Sequence, residues 1–325
     1  MDMQKRYDFF RFINIRFVGL FLTFAIILAL TACSSLIRPP KEPPAGDPLG
    51  AGLFGLYTAG AVWENAGQVE DLSQQIGREF DIIQWFSDWD HFYDVRAVAR
   101  VHDQARLPLI TWQLSGQSLD AIVSGQHDMY LKGWADGIRK AEGEVYIRLM
   151  PEMNGDWVYW NGNPKLFIEV WRYIVDLFEA EGAEYVRWVW APNITDWPRT
   201  DANRLEKYYP GQTYVDVVGL SGFNWGTVRD WSTWRLFDEI YEVPYQRVTS
   251  LGNHPIWLAE IASAEQGGDK AAWVKDLLSE RNYPKIEAII WFNEYKEADW
   301  RIDSSDASLR AFREWFSYEN RVAER

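Results

Sequence analysis

V-Y-I-R-L-M-P-E-M-N-G-D-W-V-Y-W, residues 145–160, is the stretch from which the rest of the chain can be placed. Its first half, Val145–Met150, has the branched and aromatic content of a short buried strand. Pro151 has no N–H to give to a ladder and ends it. Glu152 follows at once, then Asn154, Gly155, Trp157 and Trp160. A strand that stops in a carboxylate, an amide and indoles is poorly explained as core. Indole offers a flat apolar face and one polar edge. That suits a sugar, whose C–H faces stack on the ring while its hydroxyls take amides and carboxylates.

The same pattern recurs along the chain. Strand-like runs fall at Leu53–Tyr57, Phe80–Trp85, Pro108–Trp112, Val145–Met150, Tyr185–Trp190, Val215–Leu220, Pro255–Ala259 and Ile286–Trp291. Each closes on a polar or aromatic cluster. Helical spacing follows at 64–76, His91–Arg106, Met129–Ala141 and Pro164–Glu181. Alternating β and α with near-continuous apolar strands predicts a parallel sheet covered by helices. No glycine-rich phosphate loop follows the first strand, which argues against an open doubly wound sheet. The expected fold is a (β/α)8 TIM barrel over residues 50–325, with its chemistry at the C-terminal strand ends.

Residues 1–32 read as a lipoprotein signal peptide. Lys5, Arg6, Arg11 and Arg16 precede an apolar run, Val18–Leu30, which is shorter than the ~20 residues that span a bilayer. Leu30-Thr-Ala-Cys33 has the form of a bacterial lipoprotein cleavage site, and Cys33 is the only cysteine in the sequence. It reads as a lipid attachment point. Residues 33–49 then form a tether, because the prolines of Arg38–Pro48 favour an extended spacer. The expected location is extracytoplasmic, anchored at the outer membrane or cell surface.

A net charge of −14 argues against nucleic acid and against a basic membrane-binding face. Nineteen tryptophans exceed what a core needs and point to an aromatic-lined groove for a neutral polysaccharide. His91, His102, His127 and His254 lack metal-ligand spacing, so neither metal nor cofactor is expected. No serine sits in a nucleophile-elbow context, and a monomer is expected. Glu152 after strand four and Glu260 at the end of strand seven face one another across the mouth of such a barrel. Glycoside hydrolysis needs such a pair, about 5–5.5 Å apart in a retaining enzyme. A charge at the end of an apolar strand is costly unless paired, and Arg148 is the expected partner of Glu260. Asn224-Trp225 repeats the amide-plus-indole pattern of a sugar subsite.

These residues resemble glycoside hydrolase family 26. The resemblance rests on Arg148–Trp160, Trp188–Asn193, Val218–Trp225, Pro255–Glu260, Trp291–Glu294 and Asp299–Asp303, in that order, across most of residues 50–305. It implies retaining hydrolysis with Glu152 as acid/base and Glu260 as nucleophile. It implies a substrate site of Arg148, Asn154, Trp157, Trp160, Phe223, Asn224 and Trp225, with Trp291 as a stacking platform. The implied substrate is β-1,4-mannan or glucomannan, with mixed-linkage β-1,3-1,4-glucan or β-1,3-xylan as alternatives. Typical mannanases of the family carry His, Asp and Tyr where Pro151, Ser221 and Phe223 stand. A different class of function stays open beside it: a catalytically weak glycan-binding lipoprotein in polysaccharide export or adhesion.

Overall fold

The computed structural model describes residues 52–323 except 64, 280 and 281. The leader, Cys33 and the tether lie outside the described residues. Eight strands form a closed, all-parallel barrel in chain order: β1 (Leu53–Tyr57), β2 (Ile82–Asp88), β3 (Leu107–Gln113), β4 (Val145–Leu149), β5 (Val186–Trp190), β6 (Val217–Asn224), β7 (Ile256–Ser263) and β8 (Ile286–Phe292). The helices are α1 (Ala66–Ile76), α2 (Val95–Asp103), α3 (Leu119–Val123), α4 (Asp128–Ala141), α5 (Pro164–Ala180), α6 (Phe237–Thr249), α7 (Lys270–Ser279) and α8 (Asp306–Ala323). The TIM barrel expected from the sequence is the fold observed.

Local chemistry sets the boundaries. Helix α5 starts where the Asn163 side chain accepts from Leu166 N, with Pro164 in the first turn. It buries Phe167, Val170, Trp171, Ile174, Val175 and Phe178, a stripe at helical spacing. Helix α2 is shorter than 91–106 because Asp94 caps its start, accepting from Arg96 N and Ala97 N, and Ala105 turns into the left-handed region. Between β5 and β6 there is no α-helix, only three short 3-10 turns within Asp201–Tyr214. Strands β6 and β7 run further than 220 and 259, since Ser221 pairs with Glu260 and Asn224 with Ser263.

Alternation along each strand separates two cores. One face packs on the helices, and the core between them holds most of the tryptophans, among them Trp112 and Trp190 from strands and Trp134 and Trp171 from helices. The aromatic surplus is therefore mainly core, with Trp63, Trp157, Trp197 and Trp231 left exposed. The other face fills the lumen with residues such as Leu53, Ile82, Leu109, Tyr146, Val189, Val217, Trp257 and Ile290. Above them Gln84, Thr111, Arg148 and Ser221, all buried, make a polar layer under the mouth.

Strand β7 breaks the alternation. Leu220 pairs with Leu258 but Ser221 with Glu260, and the β8 pairing also skips between Leu258 and Ile261. The extra residue is a β-bulge. It lets Ala259 and Glu260 both face inward while Leu258 and Ile261 face the helices. Gly219 makes room for it: a Cβ there would lie 2.6 Å from that of Ala191 and 2.9 Å from that of Ala259.

Candidate active site

The end of β4 is shaped to deliver Glu152. Met150 and Glu152 both have positive φ, at 44° and 57°. Such backbone costs of order 1–3 kcal/mol per residue and persists only where its surroundings enforce it. Here Glu152 N donates to Ala191 O at 2.8 Å, and Gly155 N to Glu152 O at 2.8 Å. Trp160 is buried beneath this turn and donates its indole N–H to Pro151 O at 2.8 Å. The carboxyl reaches the mouth, where Oε1 accepts from Asn193 Nδ2 at 2.9 Å and Oε2 from Trp157 Nε1 at 2.7 Å. Burial raises its pKa above the usual carboxylate range and the charge of Glu260 adds to this, while Arg148, Asn193 and Trp157 pull the other way.

Glu260 is held differently. Its Oε2 accepts from Arg148 Nη1 at 2.5 Å, and Arg148 Nη2 donates to Ser221 Oγ at 2.5 Å. Arg148 is fully buried and Glu260 only slightly exposed. Thr111 Oγ1 lies 3.4 Å from Nη1. With its amide turned so that the oxygen faces Arg148, Gln84 accepts from Nη1 at 3.3 Å and donates to Ala259 O at 3.2 Å. The polar layer therefore fixes the guanidinium, which fixes the carboxylate.

The profile of glycosyl hydrolase family 26 matches residues 121–297, more than half of the chain. The chain belongs to glycosyl hydrolase family 26. Endoglucanase H of Acetivibrio thermocellus is 36% identical over 259 residues, which is 76% of this chain and 28% of that protein. A mannan endo-1,4-beta-mannosidase of Bacillus subtilis is 27% identical over 219 residues, 61% of this chain and 51% of its own. The chain thus spans about half or less of these relatives' length. Among solved structures, the catalytic domain of a Bacillus sp. JAMB-750 family 26 endo-beta-1,4-mannanase superposes with a TM-score of 0.63 at 18% identity, covering 82% of this chain and 86% of that one.

Within this family 26 chain, the residues expected to touch substrate divide into three sets. Trp157 is exposed at the mouth, and Phe223 and Trp225 are half-buried there. Arg148 lies below the surface and acts on Glu260. Asn154, Trp160, Asn224 and Trp291 need correcting, because each is buried with its polar atoms engaged in the scaffold. Asn154 Nδ2 donates to Asn193 O and Asp196 Oδ1, both at 2.9 Å, and its Oδ1 accepts from Asn193 N at 2.8 Å. Asn224 donates to Ser263 Oγ at 3.1 Å and accepts from Gly226 N and Arg235 N. Trp291 faces the helices, packs on Phe312 at 4.9 Å and donates to Trp300 O, so it has no free face for a sugar. Its neighbour Phe292 takes the lumen side, stacked on Tyr57 at 4.8 Å.

Asn193, Tyr57, Phe86, Phe292 and the exposed Trp231 are mouth residues that the sequence did not single out. For Asn193 a signal was available: it continues the inward parity of Val189 and Ala191. The histidines are engaged apart from one another: His102 with Glu144 O, His254 with the Tyr209 hydroxyl, His91 with Asp90, and His127 against Trp89.

Proposed function

We propose that the chain is a retaining endo-β-glycanase acting on a neutral β-linked glucan or mannan. The observation that carries this reading is the unequal treatment of two carboxyls in one mouth. Burial and a neighbouring charge hold Glu152 toward its protonated form, and Glu260 is ion-paired with Arg148. Such a split assigns acid and nucleophile. In the first step Glu152 gives its proton to the glycosidic oxygen while the Glu260 oxygen not bound to Arg148 attacks the anomeric carbon. The leaving chain departs and a glycosyl-enzyme ester remains. Glu152, now ionised, takes a proton from water, which attacks the same carbon and releases Glu260 with net retention.

The relatives' names point to both polymers, with the endoglucanase at higher identity than the mannosidase. Mannan, glucomannan and mixed-linkage β-glucan are therefore the substrates to compare, with β-1,3-xylan, the remaining alternative from the sequence, beside them. The basic leader, Cys33 and the proline-rich stretch support the rest of the proposal: a monomeric lipoprotein held at a membrane and facing extracytoplasmic glycan.

The test is reducing-sugar release by the full-length protein on that panel, with Glu152→Ala and Glu260→Ala beside it. One polymer should be cleaved, and each variant should lose at least about a hundredfold in rate. NMR of the first-formed anomer should show retention; inversion would remove the double displacement. Glycan binding without any cleavage would make the chain a binding lipoprotein instead.

A further inference from the structure

Tyr57 stands at the C-terminal end of β1, pairing with Gln84 on β2 and with Phe292 on β8. By alternation it shares the lumen face with Leu53. Its ring is clamped by stacking on Phe292 at 4.8 Å and 25°, and by an edge contact with Phe86 at 4.9 Å and 83°. Phe292 in turn meets Phe223 edge-on at 5.5 Å. These four residues form an aromatic wall in which the Tyr57 hydroxyl is the only side-chain polar atom. Packing alone would be served equally well by phenylalanine, which stands at the other three positions. No hydrogen bond to this hydroxyl is formed among the described residues, and Tyr57 is half-buried rather than sealed in the core.

By strand alternation that hydroxyl stands at the C-terminal, lumen end of β1, the same mouth that Glu260 enters from β7. Burial first, and then the charges of Glu294 and Glu260, push the phenol up to about 12. It therefore stays protonated at any ordinary working pH and can donate. Glu294 is itself fixed, accepting from Ala59 N and from Thr58 Oγ1.

We propose that Tyr57 is a substrate-contacting, specificity-determining residue, its hydroxyl donating a hydrogen bond to the sugar unit held between Glu152 and Glu260. This rests on the hydrolase reading above and deepens it. A rigid ring with one free donor selects for a sugar oxygen at one position, the kind of contact that separates sugars differing in a single hydroxyl.

The test is Tyr57→Phe in the full-length protein, which keeps the ring and both aromatic contacts and removes one oxygen. On the polymer that the wild type cleaves, kcat/KM should fall about tenfold, the worth of one lost hydrogen bond. The melting midpoint should not move. In a Glu152→Gln background, calorimetric affinity for an oligosaccharide of that polymer should weaken by a similar factor; a purely structural tyrosine would leave it unchanged. If Glu152→Gln and Glu260→Gln abolish cleavage while Tyr57→Phe stays within about twofold of wild type, the Tyr57 contact is wrong and the hydrolase stands. If those two variants cleave normally, the hydrolase reading fails first and the contact with it.

Discussion

The mouth of this barrel has two unlike halves. From β4 to β7 it holds the charged groups beside Trp157, Phe223 and Trp225, and each charge is fixed by hydrogen bonds: Glu152 by Asn193 and Trp157, Glu260 by Arg148, Arg148 by Ser221 as well. From β8 through β1 to β2 it is aromatic, with Phe292, Tyr57 and Phe86 locked ring against ring. The polar side fixes where charge sits, and preorganised charge is what lowers a barrier. The aromatic side fixes shape and carries one donor, the Tyr57 hydroxyl. If the proposed roles hold, the difference assigns bond breaking and sugar choice to different walls, so they should respond separately to mutation.

The largest effect is expected in the polar half. Arg148→Met strips Glu260 of its buried partner, and unfolding by denaturant should show a loss of roughly 3–5 kcal/mol. Turnover should fall with it, because the carboxylate is no longer aimed. A variant as stable as the wild type would mean that the pair is not what holds this wall. Next comes Phe292→Ala, which opens a cavity beside Tyr57 and should cost about 3 kcal/mol. It should raise KM more than it lowers kcat; an equal collapse of kcat would erase the distinction between the halves.

The smallest effect is expected from Trp157→Phe. Trp157 is exposed and its N–H bonds Glu152 Oε2, favouring the ionised carboxyl. Removing that bond takes away one of the three interactions that favour ionisation, with Arg148 and Asn193 remaining, so the pKa of Glu152 should rise further. The acid form is the one that donates, and the raised pKa keeps its proton to higher pH. Activity is lost as pH climbs through that value, so the alkaline limb of kcat against pH should move upward in the variant, with less than about a tenfold change at the optimum. A limb that stays put, or moves down, would show that Trp157 does not govern the proton.

Much of this was legible in the sequence, for identifiable reasons. Eight apolar runs separated by helical spacing have few other closed arrangements. A carboxylate ending an apolar strand requires a cation, and Arg148 lay on the strand that could supply one. What was not legible depends on contact rather than composition. Asn154 and Asn193 both follow a proline near a strand end, and only the folded chain shows that Asn154 uses its amide on the Asn193 backbone and Asp196 while Asn193 reaches Glu152. Trp291 and Phe292 are adjacent aromatics, and pairing with β1 decides which one faces the lumen. The 3-10 link after β5 replaces the helix that simple β/α alternation would place there.

The bulge at Ala259 and Glu260 has a consequence of its own. A strand keeps a parity code, odd residues to one side and even to the other, and one added residue is a frameshift in that code. Glu260 is read in the shifted frame. Counting from Trp257 in the unshifted frame would send its carboxylate into the oily layer under the helices. Side-chain replacements in β7 change what is written; the length between Leu258 and Ile261 sets the frame in which it is read.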